Sequence, residues 1–264
     1  VPASSQIHRQ VIRKRTDARI IEIDPIVRPL YVEFDGPDND APGDRLRAAL
    51  RAQWDITPQI PDAVAAQLLG DEDSVTVALR EEAEIVALWP GFRAHLHGLS
   101  VDIGSTTVAA QLCHLGSGEI LSEAGMMNPQ IRFGEDVMSR VSHIMMNPGS
   151  GRELTAIIRG ALSELARDCA GQAGVSARDI VEMTVVGNPI MHHIFLGLDP
   201  TPLGQAPFPL AEDGPLTLAA ADLDLGLNPG ARVHVLPCIA GHVGADTSAM
   251  ILSEDPHKSD EVVL

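Results

Sequence analysis

Beyond Leu99 the chain alternates short apolar stretches with longer stretches of helical period, and glycine or proline separates one from the next. Strands are expected near 99–103, 107–114, 118–125, 181–186 and 232–236. Helices are expected near 134–146, 151–172, 189–197 and 240–252. The longest of these helices carries an apolar stripe of 3.6-residue period between Leu154 and Leu165. This alternation predicts an α/β domain built on a mixed sheet of five strands with flanking helices.

The part of the chain before Leu99 has a different character. Residues 1–30 carry six basic and three acidic side chains with scattered prolines and no helical period, which predicts an extended linker or arm. The pattern of residues 31–97 predicts a small α+β middle domain, and residues 98–264 form the α/β part. Inside the middle domain we expect a helix through Leu46, Leu50 and Trp54, a second helix from Pro61 to Gly70, and paired strands near 74–79 and 84–88.

Composition excludes several classes of protein. The chain has 19 Lys and Arg against 36 Asp and Glu, a net charge of −17 that repels nucleic-acid phosphates and anionic membrane surfaces. No apolar run approaches the ~18 residues that span a bilayer, and no signal segment opens the chain. The three cysteines (Cys113, Cys169 and Cys238) lack the close spacing of metal sites, which is typical of reduced, buried thiols in a cytoplasmic protein.

The strongest local motif places an acidic residue at the end of a predicted buried strand, ahead of a glycine and three hydroxyl residues: Val101-Asp102-Ile103-Gly104-Ser105-Thr106-Thr107-Val108. Gly104 allows the backbone to approach a ligand closely. The amide and hydroxyl groups of Ser105, Thr106 and Thr107 can donate to phosphate oxygens, and Asp102 can hold Mg²⁺ directly or through water. An ordinary hairpin turn explains the same residues, so the motif alone leaves both interpretations open.

Four further motifs follow this turn in order. They are Asn128-Pro129-Gln130-Ile131-Arg132-Phe133-Gly134-Glu135-Asp136-Val137-Met138-Ser139-Arg140, Val186-Gly187-Asn188-Pro189-Ile190-Met191-His192-His193, Gly197-Leu198-Asp199-Pro200 and Leu236-Pro237-Cys238-Ile239-Ala240-Gly241-His242-Val243-Gly244-Ala245-Asp246. With them, nearly all of the chain resembles the ATP-dependent reductive activators of corrinoid proteins. The C-terminal domain of that family belongs to the superfamily of acetate and sugar kinases, heat-shock chaperones and actin.

The resemblance implies an architecture and a set of site residues. Residues 1–30 correspond to the linker of the family, 31–97 to its middle domain, and 98–264 to the first, ribonuclease-H-like subdomain of an actin-like domain. Asp102, Gly104, Ser105, Thr106 and Thr107 match its first phosphate turn, with Asp102 as the metal-binding residue. Gly244 and Asp246 fall beside the nucleotide cleft, although a helix N-cap explains Asp246 equally well. No catalytic residue is identified.

The resemblance also implies a function. The parent protein would use ATP and Mg²⁺ to return the Co(II) corrinoid of a methyltransferase system to Co(I), and its partner would be a corrinoid protein or a cobalamin-dependent methyltransferase. The electron would come from a [2Fe-2S] cluster in an N-terminal ferredoxin-like domain, for which this chain lacks the cysteines. Because the chain starts at Val1 and stops at Leu264, where a second phosphate turn would follow, we expect a piece of a longer protein that is inactive alone. A homodimer is also compatible with the resemblance.

Two alternatives remain open at this stage. A metabolite kinase of the same superfamily would share the fold, but it needs a catalytic acid for its substrate, and the sequence shows no diagnostic carboxylate. A non-catalytic partner-binding module would use residues 1–96 for docking beside a degenerate nucleotide domain. Histidines 95 and 97 could place two imidazoles on one strand face as metal ligands, although a solvated strand end explains them better.

Overall fold

The computed structural model describes residues 23–34, 41–68, 70 and 72–254. Most of the predicted arm and the last ten residues of the chain lie outside the described residues. None of the helices in the described part has the length and apolar character that a membrane span requires.

The amino-terminal unit is an antiparallel sheet of three strands in the order β1-β2-β3, with two helices packed on it. Its elements are β1 (Val27–Glu33), α1 (Pro42–Trp54), α2 (Asp62–Ala65), β2 (Ser74–Arg80) and β3 (Glu84–Pro90). β1 starts inside the stretch that the sequence assigns to the arm, and it pairs with β2 along its whole length. The predicted second helix is shorter than expected, because its helical hydrogen bonds stop one turn after Pro61.

The carboxy-terminal unit is a mixed sheet of six strands in the order β6-β5-β4-β7-β9-β8. Its strands are β4 (His97–Ile103), β5 (Thr107–His114), β6 (Ile120–Met127), β7 (Ile180–Gly187), β8 (Leu216–Ala219) and β9 (Arg232–Val235). Its helices are α3 (Val137–Met146), α4 (Ser150–Gln172), α5 (Pro189–Leu196) and α6 (Ala245–Glu254). β4, β7 and β9 run parallel to one another, and the remaining pairs are antiparallel.

The prediction of five strands is wrong by one strand. The additional strand, β8, follows the proline-rich loop and forms the edge of the sheet next to β9. It has only four residues, which is too short for the period-2 alternation that identifies strands in a sequence. The mixed α/β class of the sheet is otherwise as predicted.

Apolar packing of α4 against the sheet forms the main core. Leu154, Ile158, Leu162 and Leu165 are buried on α4, and they meet alternate residues of β4 and β5. A separate apolar cluster fills the space between α1 and the three-stranded sheet, where Leu46 and Leu50 are buried as the helical period predicts. Trp54 shares that face, but the residue is 45% exposed and its indole N–H donates to the carbonyl of Tyr31 at 3.0 Å.

The two units meet at a buried contact that contains ion pairs. Arg80 of β2 donates to Glu182 of β7 at 2.9 Å, and both side chains are nearly buried. Arg232 of β9 binds Glu84 of β3. An apolar cluster also joins the two units and consists of Val27, Ala78, Val86, Ala87, Leu96 and Val181. Since β7 and β9 approach the three-stranded sheet at their amino ends, the carboxyl ends of the parallel strands lie at the opposite edge.

Candidate phosphate-binding turn

The predicted turn lies at the carboxyl end of β4, between β4 and β5. β4 continues the parallel pairing to its last residue, where Ile103 lies opposite Gly187 at the end of β7. Crevices at the carboxyl ends of parallel strands are where open α/β sheets bind ligands. The fold therefore places the glycine and hydroxyl motif at an edge that is suited to a ligand.

Asp102 faces the side of the sheet opposite α4. Its neighbours Val101 and Ile103 belong to the α4 core, and successive side chains of a strand point to opposite faces. Asp102 lines a cavity of about 290 Å³ together with Glu123, Thr184 and Ala249 of α6. A larger cavity, of about 680 Å³, lies in the amino-terminal unit beside Trp54 and Glu81 and does not reach this turn.

Close packing explains the glycine of the turn. A Cβ atom on Gly104 would lie 2.6 Å from the carbonyl oxygen of Thr107, the same oxygen that accepts a hydrogen bond from the N–H of Gly104 at 3.0 Å. Ser105, Thr106 and Thr107 are partly or fully exposed. In the part of the chain that the structure describes, no residue accepts a hydrogen bond from their backbone N–H groups or bonds to their hydroxyls.

Gly244 and Asp246 lie in the segment that packs on the end of β7, the strand next to the one that precedes the turn. A Cβ atom on Gly244 would lie 2.5 Å from the carbonyl oxygen of Gly187 and 2.7 Å from Cα of Asn188, so the segment before α6 packs directly on the end of β7. Asp246 lies in the first turn of α6, and its carboxylate accepts from the N–H of Thr247 at 2.8 Å. This contact stabilises the start of α6, where a carboxylate also interacts favourably with the helix dipole.

Asn188 caps α5, as the sequence favours. Its side-chain oxygen accepts from the N–H groups of Ile190 and Met191 at 3.1 and 3.0 Å. The structure therefore assigns the side-chain oxygen of Asn188 to helix capping. The next motif residues, His192 and His193, are buried within α5.

The prediction of a solvated strand end is confirmed for His95, which is exposed, and is wrong for His97. His97 is only 5% exposed at the start of β4, and burial lowers the pKa of its imidazole. His95 lies 2.9 Å from His114, the residue opposite His97 on β5, because the antiparallel register brings β5 back to this end. Even so, no group of three or more His, Cys, Asp or Glu side chains within the described residues could hold a metal ion.

The cysteines do not form a cluster site in the described part of the chain. Cys169 and Cys238 are buried, and burial raises the pKa of each thiol to about 11. Cys113 is only partly buried, which departs from the expectation of three buried thiols. These residues therefore do not fit a [2Fe-2S] cluster, whose ligands are thiolates.

The sequence did not predict the residues that form hydrogen bonds with the carbonyl groups of the turn. Asn128 and Arg140 belong to a motif whose role the sequence does not reveal, yet both donate hydrogen bonds to carbonyl groups of residues 104–106. The sequence signal for them was their place in the order of motifs that carries the resemblance. Their contacts span 22 to 35 positions, and local patterns do not report such distances.

Taken together, the fold and the turn define an α/β protein of the mixed-sheet type with a polar turn at the carboxyl end of its central strand. A family model described as the RACo middle region matches residues 97–259, and one described as the RACo linker region matches residues 16–95. The chain therefore belongs to this family of corrinoid reductive activators.

Individual relatives agree with the family. A curated protein from Eubacterium limosum, the corrinoid activation enzyme RamQ, is 36% identical over 157 residues, which is 60% of this chain and 26% of that protein. A solved structure of a reductive activator for corrinoid, iron-sulfur protein is 27% identical with a TM-score of 0.77, over 99% of this chain and 45% of the other. The chain thus spans less than half the length of either relative.

Proposed function

We propose that this chain is the linker, middle domain and first actin-like subdomain of an ATP-dependent reductive activator of corrinoid proteins. In this proposal residues 1–30 are the linker, 31–97 the middle domain, and 98–264 the first subdomain. The matched family models divide the chain differently, with a linker region at 16–95 and a middle region at 97–259. The observation that carries it is the turn after β4, where the N–H groups and hydroxyls of Ser105, Thr106 and Thr107 have no acceptor among the described residues. In a chain of this family, that turn is the natural site for the phosphates of ATP.

The residues present fit a nucleotide with Mg²⁺. Ser105, Thr106 and Thr107 would donate to phosphate oxygens through their backbone and hydroxyl groups, and Gly104 lets the backbone come close. Asp102 projects from the last part of β4 toward a cavity, where its carboxylate would bind the metal ion directly or through water. Gly244 and Asp246 would shape the neighbouring wall of the crevice, since Gly244 packs on the end of β7 and Asp246 lies beside Gly244.

The activity of the whole protein follows from the family. The activator would bind a corrinoid protein or a cobalamin-dependent methyltransferase and return its cobalt from Co(II) to Co(I). A [2Fe-2S] cluster in a domain outside this chain would supply the electron, and ATP would supply the driving force for reduction or for release of the partner. In this activity the role of the chain is to hold the nucleotide in place. Hydrogen-bond donors that are already in position stabilise the phosphate charge without a rearrangement of the protein.

The test is Asp102→Ala in the full-length protein. We expect the ATP-dependent formation of Co(I), followed by its visible absorbance, to be lost while the iron–sulfur spectrum is unchanged. Ser100→Ala is the matched control, because Ser100 lies two residues earlier on the same face of β4 and lines the same cavity. An undiminished rate in Asp102→Ala would contradict the assignment of Asp102.

The same assay separates the two alternatives. ATP consumption that depends on an added metabolite, with no effect on the corrinoid, would support a kinase. Binding of a corrinoid protein that is independent of ATP and unaffected by Asp102→Ala would support a partner-binding module.

A further inference from the structure

Three consecutive carbonyl groups of the turn are held by residues of a different segment. The side-chain amide of Asn128 donates to the carbonyl of Gly104 at 2.8 Å, and its backbone N–H donates to the carbonyl of Thr106 at 2.8 Å. The guanidinium of Arg140 donates to the carbonyl between them, that of Ser105. The carbonyl oxygens of residues 104 to 106 therefore all accept hydrogen bonds from other parts of the protein.

This pattern determines where the amide groups of the turn point. In a planar trans peptide, the C=O of one residue and the N–H of the next point in opposite directions. The N–H groups of Ser105, Thr106 and Thr107 therefore each point away from the donor that holds the preceding carbonyl. Successive N–H groups that point outward form an anion-binding concavity.

Arg140 contributes an unusual charge to this arrangement. Its side chain is 0% exposed. Its other hydrogen bonds go to the carbonyl of Gly134 at 3.1 Å, to the side-chain oxygen of Gln130 at 3.3 Å and to the sulfur of Met191 at 3.0 Å. Within the described residues no carboxylate forms an ion pair with it. Asp136 attracts this cation electrostatically but makes no ion-pair contact with it, so the buried guanidinium leaves positive charge next to the turn.

The nearest acidic side chain in sequence has another role. Asp136 is the N-cap of α3, where its carboxylate accepts from the N–H of Ser139 at 2.7 Å. Gln130 is itself fixed, since its side-chain amide donates to the carbonyl of Leu154 on α4 at 2.8 Å. The support for the turn is thus anchored to the longest helix of the core.

We propose that Asn128 and Arg140 are positioning residues, which hold the turn with its N–H groups directed at the nucleotide phosphates, and that the charge of Arg140 adds to phosphate affinity. This inference rests on the proposed binding of ATP. It assigns a role to the 128–140 motif.

The test uses substitutions that separate positioning from capping and from charge. Asn128 also caps a short 3-10 turn, because its side-chain oxygen accepts from the N–H of Gln130 at 3.0 Å. Asn128→Ser keeps a capping oxygen and removes the donor to Gly104. Arg140→Lys keeps the charge and removes the forked contacts, while Arg140→Gln removes both.

Two measurements are made on the full-length protein: calorimetric titration with ATP, and hydrogen exchange of the peptide that spans residues 103–108 without nucleotide. We expect Asn128→Ser and Arg140→Lys each to weaken ATP binding by about tenfold and to speed exchange of this peptide, in which the N–H of Gly104 donates to the carbonyl of Thr107. Arg140→Gln should weaken binding by about a hundredfold and reduce its salt dependence. A purely structural role would lower stability without this selective effect on the turn.

Arg80→Lys is the matched control. It alters another nearly buried arginine, at the amino end of the sheet, and it should lower stability while leaving ATP affinity unchanged. Wild-type affinity and wild-type exchange in both Asn128→Ser and Arg140→Lys would overturn the inference. If Arg140→Lys does not fold, Asn128→Ser alone decides. If the wild-type protein binds no ATP, the proposed function fails, and hydrogen exchange still shows whether these residues hold the turn.

Discussion

His192 shows how burial controls the protonation of a single side chain. It is 3% exposed, and neither of its ring nitrogens has a hydrogen-bond partner among the described residues. Burial lowers the pKa of His192 to about 4, with a smaller contribution from the neighbouring His193. His193 is also buried, but both of its ring nitrogens are paired, one with the carbonyl of Pro189 and the other with the N–H of Ala211. Replacing His192 with an apolar residue would therefore remove two buried nitrogen atoms that lack hydrogen-bond partners.

We expect His192 to make the protein less stable in mild acid. The unfolded chain takes up a proton near the ordinary histidine pKa of about 6.5, while the folded protein resists it until about 4. Its stabilising contribution is therefore complete above about pH 6.5 and is lost as pH falls toward about 4. His192→Leu should flatten the decline in unfolding free energy between about pH 7.5 and about pH 5 by about 2 kcal/mol.

The check is chemical denaturation of wild type and His192→Leu at several pH values in that range. The constant difference between the two proteins reports packing, so only the difference in slope tests the titration. Parallel pH profiles would show that His192 is protonated equally in the folded and unfolded states.

At the scale of elements, α5 depends on its cap. It has only eight residues, and helices this short have little stability of their own. Asn188 satisfies two N–H groups of its first turn, and Gly197 ends the helix with φ of 78°, in the left-handed region that glycine adopts readily. The start of α5 and the end of β7 thus form one rigid corner beside the candidate turn.

Removing this cap should cost stability in a predictable way. Asn188→Ala leaves the two N–H groups without their acceptor and should lower the free energy of unfolding by about 1 kcal/mol. Asn188→Asp retains an acceptor and a favourable charge at the helix start, so it should stay close to wild type. Denaturant unfolding measures both, and an equal loss in the two variants would indicate that Asn188 acts through something other than capping.

At the scale of the whole molecule, the two units form a continuous structure. The contact between them combines an apolar cluster with nearly buried ion pairs, and Trp89 adds a hydrogen bond to Asp179 at 3.1 Å. His234 lies 2.8 Å from Glu182 and 3.1 Å from Arg80, which places three ionisable side chains at one point. This contact is at the amino end of β7, and the candidate turn is beside its carboxyl end.

Breaking the central ion pair should loosen the amino-terminal unit. Arg80→Met leaves the carboxylate of Glu182 buried without its guanidinium, and we expect a loss of about 3 kcal/mol in unfolding free energy. Hydrogen exchange in β2 and β3 should rise more than exchange in β4. The double variant Arg80→Met with Glu182→Leu should recover part of the loss, because no unpaired charge remains.

The control for this experiment is the exposed pair between Arg28 and Asp24, whose side chains are 56% and 84% exposed. Asp24→Asn should change the unfolding free energy by less than about 1 kcal/mol, since water screens the pair. A loss in Arg80→Met no greater than that of Asp24→Asn would show that the two units do not depend on the ion pair.

Much of the fold follows from the sequence because it depends on local patterns. The apolar stripe of α4 predicts both the helix and its buried face, and the glycine and hydroxyl motif predicts a turn after a buried strand. The motif order also identified the family, which the comparisons confirm. In contrast, the four-residue β8 is visible only in the structure, because such a short edge strand is defined by its pairing with β9.

The sequence by itself determined the class of fold, the family and the position of the candidate phosphate turn. Only the tertiary structure decided which polar side chains are buried and what they contact. Arg140 would be assigned to the surface from its charge, and His97 from its place at a strand end, yet both are buried. The physical reason is that a buried polar group depends on partners that are distant in sequence, and folding alone brings them within hydrogen-bonding distance.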